Sequence, residues 1–217
     1  MDVSRPIRAV VPSLDGPVLE VLAGTLRPLS TLEIHRLAGI GSSMGVRRVL
    51  HRLADQGVAL ADHRGNAIYY VANREHLAWP AVEILATLRR TLREWLVAEI
   101  RTWPVPAVHA SMFGSAARAD GDASSDIDLL FVKSDLQAGE GERWEAQLDG
   151  LRSRVMAATG NRCQTFVISR DRLGEHLRVA DPLVHAWLRD GIHLAGETLP
   201  AAIAALQPSP DRDPSDR

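Results

Sequence analysis

Hydrophobic residues follow helical spacing in the N-terminal part of the chain and then give way to two short apolar runs. Apolar positions recur every three to four residues over three segments, and Ser30 to Glu33 carries the capping-box pattern that starts the second of them. The short runs at 58–60 and 68–71 flank polar residues 62–66, which indicates a β-hairpin. The pattern therefore predicts helices over 17–26, 30–39 and 43–57, followed by this hairpin.

The remaining sequence alternates strand-like and helix-like segments. An amphipathic pattern over 76–103 predicts one long helix, ended by Pro104 and Pro106. Beyond it the pattern predicts strands over 108–113, 127–132 and 163–169, helices over 140–159, 171–179 and 182–190, and an edge strand over 192–194. The predicted fold class is thus α+β, with a mixed β-sheet and helices on one face in the C-terminal part.

Composition limits the number of domains and the compartment. A chain of 217 residues with 46% hydrophobic content can form two modest cores, and we predict domains over 1–75 and 76–206 with a disordered, Pro-rich tail over 207–217. The single cysteine, Cys163, excludes an internal disulfide framework. No apolar run of about 18 residues or signal-like leader is present, so we expect a cytoplasmic protein without a membrane partner.

The third predicted helix carries a basic face opposite its apolar stripe. This order of elements, two helices, a basic helix and a hairpin, resembles a bacterial winged helix-turn-helix domain. The resemblance implies that the domain binds double-stranded DNA and that a homodimer contacts two half-sites. The alternative is that this domain serves dimerisation or protein docking and its arginines are a solvated face. The resemblance assigns DNA contacts to Ser43, Arg47, Arg48, Arg52 and Arg64.

Gly114 and Ser115 stand between two predicted strands, and Asp126 and Asp128 follow in MFGSAARADGDASSDIDLLFV. Acids two positions apart in a strand project to the same face, where paired carboxylates can hold Mg²⁺. Gly114 allows the backbone to pass close to a phosphate, and Ser115 adds a hydroxyl and an N–H at a short helical turn. The segment therefore indicates metal-assisted phosphoryl chemistry.

This string of residues resembles the nucleotidyltransferase superfamily that includes DNA polymerase beta-like and minimal nucleotidyltransferases. The resemblance implies a nucleotidyltransferase fold in which Asp126 and Asp128 are catalytic and hold Mg²⁺, while Gly114 and Ser115 bind the phosphates of an NTP, taken as ATP. Arg118 matches the family pattern too, and it either contacts phosphate or pairs with Asp120 or Asp122.

One departure from the family pattern leaves catalysis open. Transferring members place a third carboxylate on a later strand, but the candidate strand here, 163–169, contains no acid, and Asp171 lies just beyond it. Two hypotheses follow: transfer of NMP from an NTP to a hydroxyl of an unidentified acceptor, such as a protein or RNA, or a winged-helix regulator whose C-terminal domain only binds nucleotide. A third is that neither activity survives and the winged domain only holds a dimer together.

Overall fold

The computed structural model describes residues 1–206, and the predicted disordered tail lies outside them. This part of the chain is α+β, about half helical, with two small β-sheets. It divides into two compact units, Met1–Leu92 (unit 1) and the residues from Arg93 onward (unit 2). The functional domains expected over 1–75 and 76–206 stay a prediction. Within residues 1–206 no helix combines the length and apolar character needed to cross a membrane.

Unit 1 begins with a short 3-10 helix (Pro6–Ala9), and its first three α-helices are α1 (Asp15–Ala23), α2 (Thr31–Ala38) and α3 (Ser43–Asp55). The predicted capping box is present, because the Ser30 hydroxyl accepts from the Glu33 backbone N–H and the Glu33 carboxylate accepts from the Ser30 N–H. Gly39 ends α2 in the left-handed conformation that favours glycine. The apolar stripe of α3 faces a shared core that is formed by residues of all three helices, including Val18, Leu22, Ile34, Val46, Leu50 and Leu53.

The hairpin of unit 1 is formed by β2 (Ala59–Arg64) and β3 (Ala67–Ala72), which pair antiparallel from Ala59 opposite Ala72 to Arg64 opposite Ala67. Gly65 has a φ of +59°, as a two-residue hairpin turn requires. A short strand, β1 (Leu29–Ser30), adds to the other edge of β3. The hairpin is longer than the sequence predicted because most of β2 is exposed and carries little apolar signal.

The single long helix predicted over 76–103 is wrong. The structure has α4 (Trp79–Ala86) and α5 (Leu88–Arg101), which are separated at Thr87. The Thr87 hydroxyl donates to the Glu83 carbonyl at 2.8 Å, at the end of α4. A threonine that bonds back to the preceding turn often bends a helix, and no glycine or proline marks the position in the sequence.

Unit 2 contains a four-stranded sheet in the order β6-β5-β4-β7. Its strands are β4 (His109–Phe113), β5 (Ile127–Lys133), β6 (Cys163–Ser169) and β7 (Ile192–Gly196). Strand β5 pairs antiparallel with β4 and parallel with β6, so the sheet is mixed, and β7 pairs antiparallel with β4. The helices are α6 (Gly114–Arg118), α7 (Glu140–Thr159), α8 (Arg170–Arg178), α9 (Pro182–Asp190) and α10 (Leu199–Ala204).

An aromatic cluster stabilises unit 2 beside β5. Trp144 on α7 is fully buried and lies edge-on to Trp103, with ring centroids 5.6 Å apart. Trp103 stacks on Phe131 of β5 at 5.0 Å. Edge-to-face and offset contacts of this kind add to the stabilisation that the buried area provides. The cluster fixes α7 against the strand that carries Asp128.

Candidate functional site

Gly114 joins β4 to α6 in a conformation that favours glycine. Its φ is +69°, and a Cβ at this position would lie 2.3 Å from Oδ2 of Asp128. Phe113 pairs with Asp128 across the sheet, so the carboxylate stands directly beside the turn. The sequence-predicted neighbours Gly114 and Asp128 are therefore brought together, and Ser115 follows in the first turn of α6.

The two acids of the Asp-x-Asp segment are close enough to influence each other. Asp128 lies within β5 and Asp126 immediately precedes this strand. Burial raises the pKa of Asp128 above its ordinary value, the Asp126 charge raises it further, and Arg118 opposes the shift. The pair therefore concentrates negative charge beside the Gly114 turn, at a cost in desolvation and repulsion.

An amide lies next to Asp128 on the strand where the family pattern would place a third carboxylate. Gln164 of β6 pairs in register with Asp128, and its Nε2 donates to Oδ2 of Asp126 at 3.1 Å. An amide cannot accept a proton as a general base at neutral pH. In residues 1–206 no group of three or more His, Cys, Asp or Glu side chains could hold a metal ion. The donor set thus does not fit a two-metal centre.

Arg118 is held by carboxylates at the end of α6. Its guanidinium donates to Asp120 at 2.8 Å and to Asp190 at 3.2 Å, so the predicted pairing with Asp120 is present, while the alternative contact with a phosphate stays a prediction. Hydrogen bonds from Arg189 first, and then from Arg118, lower the pKa of Asp190 to about 2. Arg118 therefore connects α6 to the end of α9.

Because the pKa of Asp128 is raised, its ionisation should make the free energy of unfolding depend on pH. A carboxyl whose folded pKa lies above its unfolded pKa destabilises the fold while it is ionised, so we expect Asp128→Asn to raise the free energy of unfolding at pH 7. This gain in the free energy of unfolding should shrink as pH falls through the pKa that Asp128 has in the folded state. It should vanish below the pKa that Asp128 has in the unfolded state. Urea unfolding at pH 7, 5 and 3 measures it, with Asp149→Asn, an exposed acid on α7, as the control. A destabilised Asp128→Asn variant at pH 7 would contradict the prediction.

The outward face of α3 is the second predicted site, and it lies in unit 1. Ser42 caps the helix by accepting from the Gly45 N–H at 3.1 Å, and Ser43 is its first residue. Arg47 and Arg48 are exposed, and no carboxylate in the described part of the chain pairs with either. The face opposite the buried stripe of α3 therefore presents two guanidinium groups that no acid of residues 1–206 neutralises.

The other two arginines predicted to contact DNA are already paired. Arg52, near the end of α3, forms an ion pair with Asp15 of α1. Arg64, at the end of β2, donates to Asp62 at 2.7 Å and lies over the Tyr69 ring at 5.2 Å. These contacts were not inferred from the sequence, because nothing in the spacing of Asp15 and Arg52 indicates that α1 and α3 bring them together. Their guanidinium charges are partly neutralised.

Comparison with known proteins corrects the family expectation. No protein-family model matches the chain, and no curated protein matches it. The solved structures similar to it include human N-acetylserotonin methyltransferase in complex with SAM, at 21% identity, over 46% of this chain and 31% of that chain, with a TM-score of 0.28. The chain thus spans about a third of the length of that protein. At this TM-score the likeness carries neither that protein's fold nor its activity to this chain.

The identification as a nucleotidyltransferase is therefore not retained, because no family model and no curated protein matches the chain. The activities that rested on it are corrected as well: transfer of NMP to an acceptor hydroxyl, and a regulator whose C-terminal domain binds nucleotide. Mg²⁺ and ATP are likewise not retained, since the described residues do not group as a metal site. The individual roles assigned to Gly114, Ser115, Arg118, Asp126 and Asp128 stay predictions.

Proposed function

We propose that unit 1 is a winged helix-turn-helix that binds double-stranded DNA, with α3 in the major groove and the β2–β3 hairpin beside the sugar-phosphate backbone. The observation that carries the proposal is the pair of exposed guanidinium groups of Arg47 and Arg48, without an ion-pair partner in residues 1–206, on a helix whose other face is buried. An exposed helix with basic side chains on its outer face suits the width of the major groove.

The order of elements supports this docking. Helix α2 precedes α3 through the short turn at Gly39 to Ser42, as in helix-turn-helix motifs, and the hairpin follows α3 directly. The capping serine at position 42 and the exposed Ser43 add hydroxyl groups at the positive end of the helix, where phosphate oxygens are favoured. Hydroxyl and guanidinium donors thus stand together on one surface.

The contributions of the arginines should be unequal. Arg47 and Arg48 can turn to phosphates or base edges without breaking an existing ion pair. Arg52 and Arg64 would first have to leave Asp15 and Asp62, which offsets part of any gain from binding DNA. We therefore assign the main electrostatic contacts to Arg47 and Arg48, and supporting contacts to Ser43, Arg52 and Arg64.

A homodimer is part of the proposal. One recognition helix contacts only a few base pairs, whereas two copies related by a two-fold axis read two half-sites about one helical turn apart. Selection of binding sequences from a random duplex pool should therefore yield palindromes with that spacing.

The principal test replaces Arg47 and Arg48 one at a time. We expect Arg47→Ala and Arg48→Ala each to lower the affinity for the selected duplex about tenfold at moderate salt, since each change removes a guanidinium that binds phosphate or base. The slope of log K against log salt should fall by about 1 for each phosphate that is no longer neutralised. Fluorescence anisotropy with a labelled duplex measures both quantities.

Arg143→Ala provides the matched control, because this arginine is exposed on α7 of unit 2. The affinity of the Arg143→Ala variant for DNA should equal that of the unaltered chain. If the full chain binds no duplex, or if Arg47→Ala and Arg48→Ala bind as well as Arg143→Ala does, the proposal fails.

A further inference from the structure

Met44 is an apolar side chain on the basic face of α3. It is 56% exposed, in the first turn of the helix, three and four positions before Arg47 and Arg48. Residues at these spacings lie on the same side of a helix. Resting on the DNA binding proposed above, we infer that Met44 reads thymine, by packing its thioether side chain against the C5 methyl group in the major groove.

The surroundings of Met44 fix the direction in which it faces. Gly45, the next residue, is turned toward Leu14, because a Cβ at Gly45 would lie 3.0 Å from Cδ2 of Leu14. Val46 is fully buried. Met44 lies on the outward side with the arginines, and the first turns of a recognition helix are the part that contacts base edges.

The chemistry of the side chain selects the base. In the major groove guanine, adenine and cytosine present hydrogen-bond donors and acceptors, whereas thymine also presents a methyl group. A thioether is a weak acceptor and not a donor, so polar edges offer it little. Burying it against a methyl group removes apolar surface of both partners from water. The flexibility of methionine lets the side chain adapt to the position of this methyl group.

The test removes the methyl group from the DNA. In a duplex selected by the full chain, each thymine is replaced in turn by deoxyuridine, which keeps base pairing and lacks only the C5 methyl. We expect affinity to fall about fourfold at one thymine of each half-site, the effect of one buried methyl-sized group, and to stay unchanged at the others.

Variants of the chain connect that fall in affinity to Met44. Met44→Ala should bind the thymine site more weakly and lose its sensitivity to deoxyuridine, while Met44→Leu should keep the sensitivity. Met156→Ala, at an exposed methionine of α7 in unit 2, is the matched control and should behave like the unaltered chain.

The outcomes separate this inference from the proposed function. Absence of duplex binding overturns both. Duplex binding without any deoxyuridine effect, or an effect of equal size in Met44→Ala, overturns the role of Met44 and leaves DNA binding standing. The inference is supported if deoxyuridine lowers the affinity of the unaltered chain and of Met44→Leu but not that of Met44→Ala.

Discussion

Replacing Trp144 by alanine should lower the free energy of unfolding of unit 2 by about 3–5 kcal/mol, the usual cost of removing a fully buried tryptophan. Trp144 is 0% exposed and contacts both Trp103 and Phe131 edge-on, with centroid distances of 5.6 and 6.3 Å. The cost includes the apolar area removed from water, the aromatic contacts, and a cavity that a helix packed on a strand fills only in part.

Urea unfolding followed by circular dichroism measures this cost, with the transition of unit 2 fitted separately if the two units unfold at different urea concentrations. Trp144→Phe should cost less, because the buried indole N–H has no hydrogen-bond partner in the described part of the chain and its removal breaks no bond. Met156→Ala, exposed on the same helix, should change stability by no more than about 0.5 kcal/mol. The prediction is wrong if Trp144→Ala costs no more than Met156→Ala.

Gly114→Ala should destabilise unit 2 by about 2–4 kcal/mol, through two separate causes. Its φ of +69° strains any residue with a Cβ, and the added Cβ would stand 2.3 Å from Oδ2 of Asp128, so the carboxylate must move. Cγ and Cβ of Asp128 would also lie 3.2 and 3.5 Å from the added Cβ, so rotation of the carboxylate alone does not remove the crowding.

Two controls separate these causes. Gly139→Ala has a similar φ of +81° but nothing within 4 Å of the added Cβ, so it should cost only the backbone strain, about 1 kcal/mol. In the double variant Gly114→Ala/Asp128→Ala the overlap is absent, and the additional destabilisation should largely disappear relative to Asp128→Ala alone. Equal destabilisation in Gly114→Ala and Gly139→Ala would show that the close approach to Asp128 has no energetic effect.

Local sequence signals predicted the elements that have clear ends. Helix α7 begins and ends as predicted, since Gly160 takes the left-handed conformation at its end. Helix α9 likewise runs from Pro182 to the residue before Gly191. The division of 76–103 into two helices was missed, because the amphipathic pattern continues through Thr87 and the break depends on one hydroxyl hydrogen bond.

The candidate sites were only partly predictable, because their partners are distant in sequence. The motif indicated the two strands, and the structure adds their antiparallel pairing, which brings Gly114 close to Asp128. The contact of Arg118 with Asp190 depends on how α6 and α9 meet, and no local pattern encodes it. The same holds for Gln164, whose strand was predicted but whose register beside Asp128 was not.

The motif itself was more informative about local geometry than about family. From Gly114-Ser115 and the Asp-x-Asp segment, the sequence predicted a turn, a short helical segment after it, and two carboxylates beside the turn. It did not establish ancestry or reaction, because a function depends on the complete set of groups around the site. Here the place of a further acid is taken by the Gln164 amide.

The order of strands in unit 2 also determines when this unit can complete its sheet during synthesis. Strand β4 needs β7 on its outer side, yet His109 and its partner Gly196 come from opposite ends of the unit's sequence. Until the last strand leaves the ribosome, the nascent chain exposes an unpaired edge of β4 that can bind other extended segments. Chains interrupted before residue 192 should therefore aggregate and depend on chaperones, although most of the apolar core residues of the unit are already present.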